Sequence, residues 1–190
     1  MALLDLDARW RRFNNPDRQC PCCGQSFSGV FDLGFDHPSS WPHEARNDAP
    51  FVKVGEDQLA PDLCRHGDDR FIRVVLSLPI EGSDEVFHMT PWVRLAQDAF
   101  YAYLDTFDGN DAPSIDECPA DLANILPGFE EVTTTPLPVM LHFPDADVRP
   151  VAKALSGPLA QAQIDGISFD QLLDIYAAFG QDIRPHLLHD

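Results

Sequence analysis

Apolar and polar positions alternate most strongly between Arg70 and Leu95. Ile72, Val74, Leu76, Leu78 and Ile80 alternate with Arg73, Val75 and Ser77, the pattern of a strand with one buried face. Gly82-Ser83-Asp84 carries turn chemistry and Val86 to Leu95 returns as a second strand, so 70–95 reads as a β-hairpin. Leu137, Val139, Leu141 and Phe143 alternate as a third strand. Val148 to Leu155 is expected as a fourth, joined through Pro144-Asp145-Ala146-Asp147, where Asp145 and Asp147 are turn residues.

Helical spacing marks the flanks. Leu3, Leu6, Trp10 and Phe13 predict a short amphipathic helix over 3–13, stopped by Asn14-Asn15-Pro16. Phe100, Tyr103, Leu104 and Phe107 predict a helix at about 97–107, ended by Asp108-Gly109. Ser168 and Gln171 have capping-box spacing, and Ile167 with Leu172 can form the hydrophobic staple. Leu172, Leu173, Tyr176 and Phe179 supply that helix's buried face, with Gly180 at the position after its end. Residues 36–62 lack periodicity and read as mostly loop, 108–120 as a polar loop containing Cys118, and 121–126 as a helical turn stopped by Pro127-Gly128. The expected class is α+β: a small antiparallel sheet built from hairpins, flanking helices and an N-terminal cysteine knuckle. Residues 1–19 form the helix and lead-in, 20–182 a single domain, and 183–190 a C-terminal tail.

Length adds that one domain suffices for 190 residues, and a hydrophobic content of 44% can fill its core. No apolar run nears the roughly 18 to 20 residues of a membrane span. The opening Met-Ala-Leu-Leu-Asp-Leu-Asp has acids where a secretory signal has basic residues, so a cytoplasmic protein is expected. Charge changes the picture more. Asp and Glu number 31 against 13 Lys and Arg, a net charge of -18 at pH 7. That field repels nucleic acid and anionic membranes and attracts a basic protein partner or cations. The acids are spread along the whole chain, as they would also be if they served only solubility.

Three of the five cysteines fall within Cys20-Pro21-Cys22-Cys23-Gly24. Neighbouring cysteines rarely pair with each other, and an intracellular compartment is reducing, so the cluster points to metal chemistry or its remnant. Cys-Pro-x-Cys-Gly has the form of a zinc-ribbon knuckle: two thiolates two residues apart can hold one Zn²⁺, and the glycine lets backbone amides turn toward the sulfurs. A structural zinc needs four ligands, and no second Cys-x-x-Cys exists. Cys20, Cys23, Cys64 and His66 are the expected set, with Cys22, Cys118, His37 and His43 as substitutes. The competing reading keeps the turn without metal, its cysteines packed as small hydrophobes. A catalytic zinc would need an open position and a base, for which Glu44 and Glu56 are the candidates. Asp32, Asp36 and His37 are a second candidate cluster, against a reading as solvated loop residues. His88 and His142 read as ordinary strand residues. Nucleophile elbows, P-loops, dinucleotide fingerprints and His-Glu-x-x-His are absent from the sequence.

Several phrases together resemble the bacterial family called domain of unknown function 2199. They are Cys20 to Gly24 with Phe31-Asp32-Leu33-Gly34-Phe35-Asp36, then Asp62-Leu63-Cys64, Phe71-Ile72-Arg73, Leu78-Pro79-Ile80 and Pro91-Trp92-Val93-Arg94-Leu95. Leu126-Pro127-Gly128-Phe129, Arg149-Pro150, Pro158-Leu159-Ala160 and Gly166-Ile167 complete the set. The resemblance covers about residues 20–180 and leaves the helix at 3–13 outside. Where the family often has His-Pro-Leu-Ala, this chain has Gly157-Pro158-Leu159-Ala160, which speaks against an essential catalytic histidine there. The resemblance implies no reaction, cofactor or partner. The expected function is therefore a non-enzymatic acidic binding or accessory protein, immunity-like in one version, docking on a basic partner. The alternative is a metal-dependent enzyme or a zinc-stabilised regulatory module built on Cys20 and Cys23.

Overall fold

The computed structural model describes residues 3–108, 117–134, 136–144 and 148–188. A 3-10 turn (Leu3–Leu6) leads into α1 (Ala8–Phe13), capped by the Asp7 carboxylate, which accepts the Arg9 N–H at 2.8 Å. Trp10 and Phe13 are buried, and the helix stops at Asn14 as its sequence predicts. After β1 (Leu33–Gly34), β2 (Val52–Val54) and β3 (Asp57–Leu59) form a hairpin within the expected loop. Both are three residues long, β2 at the sheet edge and β3 next to it, and their mostly polar or exposed positions leave little apolar signal. β4 (Leu63–His66), β5 (Asp69–Arg73), β6 (Leu76–Pro79), β7 (Val86–Thr90) and β8 (Trp92–Leu95) follow. α2 (Gln97–Asp105) runs into a 3-10 turn (Thr106–Asp108), and then come β9 (Glu117–Leu122), α3 (Glu130–Thr133), β10 (Leu137–His142) and β11 (Val151–Ala154). α4 (Gly157–Asp165), α5 (Phe169–Ala178) and a 3-10 turn (Arg184–Leu187) complete the order. The turn residues Asp145 and Asp147, and most of the loop expected at 108–120, lie outside the described residues.

The class is α+β. An antiparallel sheet of eight strands has the order β11-β10-β9-β8-β5-β4-β3-β2, and a second sheet has the order β1-β7-β6 with β1 parallel to β7. The strand expected over 70–80 is divided between the two sheets. Its inward residues Ile72, Val74, Leu76, Leu78 and Ile80 are all buried, yet its hydrogen-bond partner changes from β8 to β7. Pro91 breaks the returning strand in the same way, because it has no N–H for the ladder. Residues 121–122 are the end of β9, not a helical turn: cross-strand pairing with β8 and β10 overrides the local preference, and the turn forms later as α3. α4 has a single fully buried residue, Leu159, and so leaves no apolar stripe to find in the sequence.

Most of the core is one cluster between the sheets and the helices, including Phe13, Leu76, Phe87, Leu141 and Tyr176. Tyr176 stacks on Phe31 with ring centroids 4.1 Å apart, and its hydroxyl both donates to the Phe31 carbonyl (2.8 Å) and accepts the Phe31 N–H (3.0 Å). A smaller cluster of Trp41, Leu59, Cys64, Phe71 and Trp92 fills the β3–β4 end of the large sheet. The final 3-10 turn, expected as a tail, packs on this body: Ile183 and Leu187 are buried, and Arg12 donates to the Leu187 carbonyl at 2.9 Å. No helix among the described residues is long and apolar enough to cross a membrane.

Candidate metal centre

The knuckle is a tight reversal. Gln19 pairs with Ser26 in an antiparallel bridge, the Cys20 N–H donates to the Gln25 carbonyl (2.8 Å), and the Gly24 N–H donates back to the Cys20 carbonyl (2.8 Å). Gly24 sits at φ +75°, where a side chain would be strained. The turn puts the Cys20 thiol inside and leaves Cys22 and Cys23 exposed.

The final 3-10 turn brings His186 onto this reversal. Arg18 donates to the His186 carbonyl at 2.9 Å, and the imidazole lies against Phe27 with ring centroids 5.7 Å apart. His186 Nδ1 is 3.4 Å from Cys20 Sγ and 3.3 Å from Cys23 Sγ, and the three atoms all lie within 4.8 Å of one another. Around a tetrahedral zinc, with Zn–S near 2.3 Å and Zn–N near 2.0 Å, sulfur and nitrogen ligands stand about 3.5 Å apart. The observed separations are within about 0.2 Å of that edge. The same spacing also allows hydrogen bonds between each sulfur and the ring nitrogen, with thiol or imidazole as donor.

Electrostatics favour a thiolate at Cys20. The hydrogen bond with His186 pulls its pKa down to about 6, helped by the amides of Cys22 and Cys23 and opposed by burial. A cleft of about 550 Å³, bordered by Gln25, Ser26, Ser28, Gln181, Asp182 and His186, lets solvent and ions reach the imidazole side.

The other expected ligands stand elsewhere, and the set Cys20, Cys23, Cys64, His66 is not brought together. Cys64 and His66 share one face of β4, as i and i+2 positions in a strand must, but that face covers the smaller core. Cys64 is buried there, and burial, reinforced by the Asp57 charge, pushes its thiol up to about 12. His66 and His43 both point at Asp57, at 3.2 and 2.8 Å, while the Gly67 N–H donates to the other carboxylate oxygen at 3.0 Å. Of the substitutes, Cys118 is buried on β9, His37 bonds to the Pro38 carbonyl (2.8 Å), and exposed Cys22 is outside the trio. Asp32, Asp36 and His37 form no comparable group among the described residues, Glu56 is exposed, and Glu44 contributes its carbonyl to the Trp41 indole. His88 accepts or donates with Ser77 across β6 and β7 at 2.9 Å, and His142 pairs with Glu117 at 3.3 Å.

His186 escaped the sequence reading. The signal was there: Arg184-Pro185-His186-Leu187-Leu188-His189 places two of the chain's seven histidines near its end. A ligand about 160 residues from the knuckle has no spacing rule to reveal it.

Fold and site together define an α+β protein in which a two-cysteine knuckle and a distant histidine bring together three atoms that could hold a metal ion. A family model described as an uncharacterised protein conserved in bacteria, domain of unknown function 2199, matches residues 19–167, and the chain belongs to that family. The match includes Cys20 and Cys23 and ends before α5 and His186. No curated protein and no solved structure matches the chain.

Proposed function

We propose that the protein is an acidic binding or accessory module, cytoplasmic, whose knuckle and last turn are clasped by a zinc ion on Cys20, Cys23 and His186. The observation that carries the zinc reading is the trio itself, three ligand atoms within 4.8 Å of one another. Zinc takes four ligands, and water or a further side chain fills the remaining position. A reducing compartment suits the site, because metal binding requires the thiolates free. The partner reading is supported by the net charge of -18, which steers association with a basic surface and weakens it with nucleic acid.

Zinc that binds only the folded chain raises its stability by mass action, by about 4 kcal/mol at a thousandfold excess over Kd. Thermal melts of metal-stripped protein with added zinc test this: wild type gains several degrees, and His186→Ala gains far less. An equal gain in both would remove His186 from the site. For the partner, affinity purification from the native host at low salt is expected to retain a basic protein that elutes as salt rises. Recovery of general chaperones alone contradicts the docking reading.

A further inference from the structure

Two arginines, Arg73 and Arg149, stand near each other away from the knuckle. Between β5 and β6 the Val75 N–H donates to the Pro150 carbonyl and the Ala152 N–H donates to the Val75 carbonyl, both at 2.8 Å. This parallel bridge sets Val75 beside Val151. Two residues back along each segment stand Arg73 and Arg149, so strand alternation puts both on the same face. That face points away from the core, since the intervening Val74 and Pro150 are buried.

Asp62 links the pair. Its main-chain carbonyl accepts the Arg73 N–H at 3.0 Å, and its carboxylate accepts Arg149 Nε at 2.6 Å. The Arg73 guanidinium itself has no carboxylate partner among the described residues, in a chain with 31 acids. Its Nε donates to the Thr90 carbonyl (3.3 Å) and Nη1 reaches the Pro61 carbonyl (3.5 Å). Nη2 lies across Gly34, where a Cβ would stand only 2.7 Å from it, so glycine makes room for the cation. Burial disfavours the charge on Arg73 and Arg149 adds like-charge repulsion, which the nearby Asp62 and Asp36 carboxylates offset only in part. A half-buried guanidinium beside a second one, with donors unspent, is an arrangement that an oxyanion relieves. Gly34 and Arg149 are exposed, so the face is reachable.

We infer that Arg73 and Arg149 form a binding site for a small oxyanion, a carboxylate or a phosphate monoester. Both groups match the planar fork of arginine in bidentate fashion. The net charge of -18 restricts the ligand to a small anion, because a polyanion would meet repulsion from the rest of the surface. The site is independent of the metal trio.

Thermal melts with inorganic phosphate, and separately with acetate, against chloride at matched ionic strength test the site. Wild type is expected to gain a few degrees with one or both anions beyond the chloride control. The response of phosphate against acetate tells which class the site prefers. Arg149→Gln keeps Arg73 in place and is expected to weaken the response about tenfold or more, the worth of one lost charge-assisted contact. Arg9→Gln, at a pair with Asp7 and Asp170, should respond as wild type does. Shifts of the Arg73 Nε–H resonance on titrating wild type with phosphate and acetate give a readout that needs no variant. An Arg73 that only ties Thr90 to Pro61 predicts a melt and an Nε–H signal indifferent to either anion, and that result overturns the inference. So does an Arg149→Gln protein with an unchanged midpoint.

Discussion

Asp57 collects three donors, and its carboxylate is accordingly held down to about 2 from an ordinary 3.8, first by the Gly67 N–H and then by His43. A carboxylate whose folded-state pKa is depressed contributes stability that is fully present above its unfolded value and is lost as pH falls through the folded one. Asp57→Asn is therefore expected to destabilise the protein near neutrality, with the gap to wild type closing between about pH 4 and pH 2. Urea unfolding of both proteins at stepped pH measures this; a gap that stays constant down to pH 2 contradicts it. The same residue explains why His66 is not a ligand of the knuckle. The sequence pairs Cys64 with His66 by proximity, and the strand does put them on one face. Which core that face covers depends on sheet order, and no local pattern in the sequence states it.

At the scale of elements, α5 is the part that its sequence describes best. Ser168 Oγ accepts the Gln171 N–H and Gln171 returns a bond to the Ser168 N–H, at 3.2 and 2.8 Å. Ser168→Ala should cost about 1 kcal/mol, read as a lowered denaturation midpoint with unchanged slope. A loss below a few tenths would mean that packing of Leu172, Leu173 and Tyr176 alone sets this end of the helix. The strands were legible in a different way. Alternation from Ile72 to Ile80 reported burial correctly at every inward position, but burial does not name the hydrogen-bond partner. Hence one apparent strand serves two sheets, and Pro91 divides its return. Leu122 had an apolar side chain that fits helix or strand equally, and its pairing with Val93 and Leu137 decided the matter. The knuckle was legible because its chemistry is local: two cysteines, a proline and a turn glycine within five residues.

For the whole molecule, long-range closure matters most. The last turn returns to the body through Arg12, Arg18 and His186, so a segment that reads as a C-terminal tail supplies one third of the candidate metal trio. Zinc at the trio would join residues 166 positions apart and so link the lead-in helix, the knuckle and the end of α5 into one unit. Metal analysis of untagged protein tests that claim most directly. Wild type should carry about one equivalent of zinc, Cys20→Ser and His186→Ala should lose it, and Cys64→Ser with His66→Ala should keep it. Less than about 0.2 equivalents in folded wild type, or full occupancy in His186→Ala, would contradict the account.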